Sequence, residues 1–211
     1  FMAEPSRFGI DFEDVHFEAE DGAALHGWHV PAPGSRTLIL FFHGNAGNLS
    51  DRLDNVVRLH RFVGADVFIV DYHGYGKSEG KPSEKTLCMD GRAALERART
   101  LAGDKKIVIF GRSLGGAVGI DVAASHHCDG LIAESTFTSI PAIADALFPV
   151  LPAGRILRTR FDSLSKIPSV SAPKLLIHGE DDHLIPFSQA RTLYEAAIAP
   201  KEFYPIPGAD H

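Results

Sequence analysis

The sequence predicts an α/β fold in which helices cover both faces of a mostly parallel sheet, preceded by an N-terminal antiparallel hairpin. Two segments flanking Asp21-Gly22 mix apolar and polar residues, as hairpin strands do. Short, almost wholly apolar runs follow, which are typical of parallel strands buried on both faces. Stretches with apolar residues three or four apart separate these runs, as in amphipathic helices. A doubly wound sheet with right-handed crossovers is the simplest topology that buries both faces.

The predicted elements follow this pattern in chain order. The hairpin strands are 15–20 and 25–30, where the Asp-Gly pair supplies the turn. The remaining strands are the apolar runs 37–42, 67–70, 106–110, 131–133, 174–177 and 203–206. The helices are the periodic stretches 49–62, 83–101, 114–125 and 188–197. Since ligands of such sheets bind beyond the carboxyl ends of the strands, the residues that follow each strand are the first candidates for chemistry.

The alternation breaks at about 135–171, in a segment rich in proline and apolar side chains. We interpret it as a small cap on a single domain that spans 1–211. Leu147 and Phe148 are candidate lining residues of a substrate pocket under this cap. The alternative is that the segment simply covers the sheet.

Composition excludes several classes of protein. With 211 residues the chain is long enough for one domain with a full core. Its formal charge of -6 offers no basic surface for nucleic acid or anionic lipid. No stretch reaches the ~18 apolar residues of a membrane-spanning helix. The cysteine usage suits a reducing, cytoplasmic location, although a removed N-terminal signal or anchor stays possible.

No pattern in the sequence calls for a cofactor or a metal. The glycine-lysine-serine at 76–78 lacks the earlier glycine of a phosphate-binding loop, since Asp71 stands in that position. No spaced glycine triplet follows the first parallel strand, as a dinucleotide site would require. His and Cys residues show no spacing typical of metal ligands. We therefore expect chemistry carried by side chains alone.

A candidate nucleophile stands in a glycine-rich turn. The predicted strand 106–110 runs into GRSLGG at 111–116, and an apolar helix follows at once. This is the G-x-S-x-G pattern in its strand, turn and helix context, with Ser113 as the nucleophile. Glycines at 111 and 115 remove side chains that would collide in so tight a turn. The alternative is a glycine-rich turn without chemistry.

A serine nucleophile needs a base and a group that orients the base, usually in the chain order serine, acid, histidine. The strand 174–177 opens into HGEDDHLIP, and the run 203–206 opens into PGADH. His211 is the one histidine with both this order and a loop at a strand end. His43 and His178 precede glycines and are expected to brace loops. The first of these loops offers Asp181 and Asp182 as candidate acids, and Glu134, which closes an earlier strand, is an alternative.

Together these residues resemble the α/β-hydrolase superfamily over essentially the whole chain. The likeness is greatest to the compact α/β-hydrolase domain-containing proteins, which include esterases and depalmitoylating thioesterases. Two further stretches resemble the same family, FHGNAGN at 42–48 and DYHGYGKSEG at 71–80. The resemblance implies an α/β-hydrolase fold, and it matches Asp182 to the family's acid and the Gly-x-x-His of 208–211 to its histidine.

Acyl transfer also needs two amide donors for the developing oxyanion. One is expected to be the main-chain amide of Leu114, which follows the nucleophile, and the other that of Asn45 in the loop after strand 37–42. Asn45 has a plainer alternative as a turn residue leading into a helix.

The implied function is a serine hydrolase that cleaves small-molecule esters of short-to-medium acyl chains, of carboxylesterase type. Acyl-protein or acyl-CoA thioesterase is the first alternative, and amide or peptide hydrolase is the second. A hydrolase-fold protein that binds without catalysis is a further alternative, but it would be expected to lack a triad member.

Overall fold

The computed structural model describes residues 3–147 and 157–211. Its strands belong to a mostly parallel eight-stranded sheet surrounded by helices, and the sheet begins with an antiparallel hairpin. This confirms the predicted fold class. The strands are β1 (Glu13–Glu18), β2 (Ala24–Val30), β3 (Thr37–Phe42), β4 (Asp66–Asp71), β5 (Lys106–Arg112), β6 (Gly130–Glu134), β7 (Lys174–Gly179) and β8 (Lys201–Ile206).

Helices separate the parallel strands, as the periodicity predicts. The α-helices of the described residues are α1 (Leu53–Arg58), α2 (Glu84–Ala102), α3 (Leu114–Ser125), α4 (Ile140–Leu147), α5 (Ser163–Lys166) and α6 (Phe187–Ala196). Short 3₁₀ turns occupy Pro5–Phe8, Leu49–Arg52 and Ile167–Ser169, and a π-helical turn occupies Leu59–Val63.

The first of two compact units ends at Ile109. Its strand order is β1-β2-β4-β3, with β2 antiparallel to both β1 and β4, and β3 parallel to β4. Every residue of β4 is buried, as the continuous apolar run predicts for a strand covered on both faces. The large side chains of Trp28, Phe41 and Phe68 are fully buried in its core.

The second unit comprises Phe110–His211. β5 begins before this range, at Lys106, and the strands that lie wholly within it follow the order β6-β7-β8, with β7 parallel to both β6 and β8. Because β6, β7 and β8 run in the same direction, their carboxyl ends meet at one edge of the sheet. The loops that leave this edge carry the acid and histidine candidates.

The helix predicted over 49–62 is the clearest departure from expectation. The segment starts as a 3₁₀ turn, continues as α1 and ends as a π-helical turn before Gly64, which has φ 69°. Asn48 and Asp51 cap each other at the start, where the Asn48 side chain accepts from Ser50 N–H and Asp51 accepts from Asn48 N–H. The apolar spacing fits all three kinds of helical turn, so it could not distinguish them.

Two expectations about domain organisation stay predictions: that 1–211 form a single domain, and that 135–171 form a cap.

Candidate active site

The structure places Ser113 on a sharp turn between a strand and a helix. β5 ends at Arg112 and α3 begins at Leu114, so Ser113 alone makes the connection. Its backbone has φ 55° and ψ -119°, a conformation that costs a non-glycine residue about 1–3 kcal/mol. Such strain persists only where the surrounding structure fixes the backbone.

Contacts with the segment at the end of β6 hold this strained turn. The Ser113 N–H donates to the carbonyl oxygen of Glu134 at 2.8 Å. The Ser113 carbonyl oxygen accepts from the Thr136 hydroxyl and from the Gly116 N–H, both at 2.9 Å. The serine is therefore fixed through its backbone rather than through its side chain.

Two glycines make the turn possible for steric reasons. A Cβ atom on Gly111 would lie 2.3 Å from the carbonyl oxygen of Gly115. A Cβ atom on Gly116 would lie 2.5 Å from the Cβ of Thr136. The first contact is of the kind that the sequence motif predicts. The second was not anticipated, because the motif makes no demand on this position.

Asp182 lies in the loop after β7 with its side chain fully buried. Its Oδ1 accepts from the main-chain N–H groups of Leu184 at 3.0 Å and Ile185 at 2.7 Å. Its Oδ2 lies 2.8 Å from Nδ1 of His211. Three hydrogen bonds thus orient the carboxylate, and one of them engages the candidate base.

His211 is brought to Asp182 through Nδ1, which has a chemical consequence. With a proton on Nδ1 donated to the carboxylate, Nε2 is left as the lone-pair nitrogen that can accept a proton. The imidazole is partly exposed, so Nε2 can serve a reaction at the surface. This is the tautomer that a general base requires.

The loop with the acid and the loop with the histidine are bonded to each other. Glu180 N–H donates to Ile206 oxygen at 3.0 Å, and Asp181 N–H donates to Ala209 oxygen at 3.1 Å. Gly179 lies so close that a Cβ atom there would be 2.3 Å from the Ala209 oxygen. The loops after β7 and β8 therefore pack directly against each other.

Asp210, in the loop after β8, adds a further connection between these two loops. Its Oδ1 accepts from the His183 N–H at 3.0 Å and from the His211 N–H at 2.7 Å. The main-chain amides of His183 and His211 hold the pKa of the Asp210 carboxyl below its usual value. The bond to Asp210 thus fixes the backbone of His211, and the imidazole of the same residue contacts Asp182.

Glu134 and Asp181, the alternative acids, have other contacts. Glu134 pairs with Arg112, whose Nε lies 3.1 Å from its Oε1. Arg112 also donates to the main-chain oxygen of His211. Asp181 is exposed, and its main-chain N–H donates to the Ala209 oxygen. Sequence reasoning missed Arg112, because it occupies an x position of the serine motif, where any residue is allowed.

His43, in the loop after β3, and His178, in β7, are both buried. His43 Nδ1 lies 2.8 Å from Gly44 oxygen, and its Nε2 lies 3.3 Å from Oδ1 of Asp71. His178 Nε2 lies 2.8 Å from Ile185 oxygen. The His43 contacts brace the loop that follows β3, and the His178 contact braces the loop that follows β7, which is the role expected from the sequence.

The remaining predicted site residues are placed as follows. Leu114 is the first residue of α3, where the main-chain amide has no partner within the helix. Asn45 is exposed in the loop after β3, and Leu147 ends α4 with 42% of its surface exposed. Phe148 lies outside the described residues.

Residues 3–147 and 157–211 contain neither a cluster of metal ligands nor a membrane-spanning helix. In these ranges no group of three or more His, Cys, Asp or Glu side chains is placed to hold a metal ion. Every helix in the same ranges is too short or too polar to traverse a lipid bilayer.

Comparison with known proteins identifies the family. A model of the Hydrolase_4 family, described as "Serine aminopeptidase, S33", matches residues 33–164. The chain is 38% identical over 202 residues to the uncharacterized protein Rv2307c of Mycobacterium tuberculosis, covering 94% of this chain and 72% of that protein. It is 35% identical over 214 residues to the α/β hydrolase domain-containing protein WAV2 of Arabidopsis thaliana, covering 92% and 70%.

Among solved structures, the chain is similar to the esterase Pf2001 of Pyrococcus furiosus. The TM-score is 0.82 at 21% identity, and the match covers 100% of this chain and 87% of that one. At this identity the likeness concerns the fold. The family model spans more than half of the sequence, and the relatives match over most of their length, so the chain belongs to the serine aminopeptidase S33 family of α/β-hydrolases.

Proposed function

We propose that this chain is a serine carboxylesterase that cleaves esters of short-to-medium acyl chains through an acyl-enzyme on Ser113. The observation that carries the proposal is the hydrogen bond of 2.8 Å between Asp182 Oδ2 and His211 Nδ1. It joins two of the three groups of a triad in the chain order serine, acid, histidine. The strained turn at Ser113 supplies the third.

The first half-reaction forms the acyl-enzyme. Ser113 Oγ attacks the carbonyl carbon of the ester while its proton passes to Nε2 of His211. Asp182 stabilises the imidazolium that results. The tetrahedral intermediate then expels the alcohol, which takes the proton from His211. In the second half-reaction His211 activates a water molecule, and the acid is released from Ser113.

The amide of Leu114 is a proposed donor to the oxyanion, and that of Asn45 stays a prediction from the sequence. Leu114 offers an amide at the start of α3 that has no partner within the helix, where the helix dipole also favours negative charge. One donor of this kind typically contributes about 3 kcal/mol of transition-state stabilisation. Leu147 is the proposed lining residue for the acyl chain.

Two other substrate classes use the same machinery. The description of the matching family names an aminopeptidase, which makes amides a second candidate. Thioesters are the third, because their cleavage proceeds through the same acyl-enzyme. A panel of nitrophenyl esters, acyl thioesters and aminoacyl nitroanilides, ranked by kcat/KM, separates the three. The proposal requires the esters to rank first.

The nucleophile is tested by Ser113→Ala, with Ser188→Ala as the control because Ser188 is exposed in α6. We expect Ser113→Ala to lower kcat for a nitrophenyl ester by more than about 10⁴-fold without a change in thermal stability, since it removes only the reacting oxygen. It should also abolish labelling by a fluorophosphonate probe. Retention of more than a few per cent of the activity would contradict the assignment.

A further inference from the structure

A second, buried histidine contacts the carboxylate of Asp182. His178 lies in β7, one residue before the strand ends, and its side chain is fully buried. Its Nε2 lies 3.3 Å from Oδ2 of Asp182, the same oxygen that lies 2.8 Å from Nδ1 of His211. Oδ2 therefore faces two imidazoles, and the proposed mechanism uses only that of His211.

The groups around His178 fix the position of its proton. Nε2 faces the main-chain oxygen of Ile185 at 2.8 Å and the carboxylate of Asp182, and both groups accept hydrogen bonds. Nε2 must therefore carry the proton. The other ring nitrogen, Nδ1, is buried and has no hydrogen-bond partner within residues 3–147 and 157–211. Because a proton on Nδ1 would be a buried donor without an acceptor, the neutral ring with its proton on Nε2 is the favoured form.

Ile185 passes the support of His178 on to the other carboxylate oxygen. Its carbonyl oxygen accepts from His178 Nε2–H, and its own N–H donates to Oδ1 of Asp182 at 2.7 Å. His178 thus acts on both oxygens of the carboxylate, on Oδ2 by direct contact and on Oδ1 through the main chain of Ile185. A rotation of the carboxylate would disturb contacts at both of its oxygens.

Packing outside the acid loop holds the ring of His178. Its centroid lies 6.1 Å from that of Phe187, the first residue of α6, in an edge-on arrangement. Phe187 packs in turn against Phe203 of β8, with centroids 5.5 Å apart. The backbone of His178 is part of the sheet, where it is in register with Pro205 of β8. The imidazole is therefore anchored by β7, β8 and α6 and can hold the loop that follows.

The contacts of His211 show how His178 can affect the reaction. Asp210 and Arg112 contact the main chain of His211, at its N–H and its carbonyl oxygen. The imidazole contacts Asp182 through Nδ1. His178 reaches the imidazole of His211 by way of the oxygen that both rings face.

We propose that His178 is a positioning residue of the triad, which acts through Asp182 by holding its carboxylate in the orientation that His211 requires. This inference rests on the proposed function, because it needs Asp182 to be the acid. Asp182 stabilises the imidazolium that forms in the transition state and takes no part in binding the ester. Loss of His178 should therefore lower kcat and leave KM nearly unchanged.

The first test compares three substitutions of His178 in the hydrolysis of a nitrophenyl ester. His178→Phe keeps a ring and removes the donor, and we expect it to lower kcat about 10–100-fold, since misplacement of a catalytic group by about 1 Å can cost about 100-fold. In His178→Gln the side-chain amide reaches the position of Nε2, so this variant should recover most of the loss. The shorter amide of His178→Asn should not.

Controls separate this effect from instability. His127→Phe and His127→Gln repeat the substitutions at an exposed histidine and should keep the wild-type kcat. Thermal melting shows whether each variant is folded. If His178→Phe proves unstable, the comparison of His178→Gln with His178→Asn carries the same test, because both introduce an amide and differ in reach.

A double-mutant cycle tests the route through Asp182. In the Asp182→Asn background, His178→Phe should cause no further loss of kcat, because the group that it positions is already impaired. If the two losses multiply, His178 acts by another route and the proposal is overturned.

A spectroscopic signature separates positioning from a merely structural role. The proton on Nδ1 of His211 gives a strongly deshielded NMR signal when it is hydrogen-bonded to a carboxylate. We expect this signal to move in His178→Phe and to stay near its wild-type position in His178→Gln. A signal that is unchanged in folded His178→Phe would overturn the proposal.

The outcomes distinguish the two proposals. If the wild-type protein neither hydrolyses esters nor reacts with a fluorophosphonate, the proposed function fails, and the role of His178 in the reaction fails with it. If the wild-type protein is active and His178→Phe keeps its kcat, only the role of His178 is overturned. The same holds if His178→Gln is no more active than His178→Asn.

Discussion

At the scale of single residues, main-chain groups do most of the positioning in the proposed triad. Ser113 is held by bonds to its own peptide groups, Asp182 by the amides of Leu184 and Ile185, and His211 through its amide by Asp210. The Oγ of Ser113 and the Nε2 of His211 are therefore not the atoms that hold these residues in place. Substituting a reactive side chain should therefore affect chemistry far more than folding.

The acid is tested by comparing Asp182→Asn with Glu134→Gln. Asp182 contacts His211 directly, whereas Glu134 pairs with Arg112. We expect Asp182→Asn to lower kcat on the order of 10⁴-fold by favouring the wrong imidazole tautomer, as the same substitution does in the serine-protease triad. Glu134→Gln should cost less than about 10-fold, since it weakens a partly exposed ion pair.

Steady-state kinetics on one nitrophenyl ester measure both variants. The opposite ranking, with Glu134→Gln severe and Asp182→Asn mild, would move the acid to the end of β6. Circular dichroism of both proteins controls for unfolding.

At the scale of elements, the second unit depends on the close approach of two loops. The loops after β7 and β8 share main-chain hydrogen bonds at Glu180 and Asp181. Gly179 permits their contact because it has no side chain to meet Ala209. The histidine loop is thus supported by the acid loop, although it follows a largely exposed strand, and this support holds the proposed base in place.

Gly179→Ala tests this support. The added methyl group would lie 2.3 Å from the Ala209 oxygen, so the histidine loop must shift, and misplacement by about 1 Å can cost about 100-fold in rate. Gly64→Ala is the control: Gly64 has φ 69° with open space around it, and the substitution costs about 1 kcal/mol of stability through backbone strain alone. Equal rates in the two variants, with melting temperatures measured alongside, would show that the loop contact does not position His211.

At the scale of the whole chain, the sequence predicted what depends on patterns of many residues. Buried parallel strands are apolar throughout, so β3 and β4 could be located. Ser113 is the candidate nucleophile because its motif requires a strand, a turn and a helix in succession, and the structure has these three elements there. Contacts between residues far apart in sequence left no such pattern. The bond from Tyr75 to Asn45 and the packing of Gly116 on Thr136 depend on how loops meet, and neither is encoded in local spacing.

Asp71 is another residue whose importance emerges only in three dimensions. It is fully buried, accepts from the Leu49 N–H at 2.8 Å, and faces the imidazoles of His43 and His26 at 3.3 Å and 4.0 Å. Burial alone would raise the pKa of its carboxyl, but the contacts with His26 and His43, together with the Leu49 amide, bring the pKa below its ordinary value. The folded protein therefore favours the ionised form of Asp71.

This pKa shift predicts how stability depends on pH. Because the pKa of Asp71 is lower in the folded than in the unfolded state, its contribution is complete above the unfolded value of about 3.9 and is lost as the pH falls through the folded value. Asp71→Asn should lower the unfolding free energy by about 1–3 kcal/mol at neutral pH, as loss of a buried, hydrogen-bonded charge. Urea unfolding at several pH values should show this difference shrinking below about pH 4. Asp104→Asn, at an exposed position, controls for the removal of one negative charge. A difference between wild type and Asp71→Asn that stays constant down to acid pH would show that ionisation of Asp71 contributes nothing to the stability of the fold.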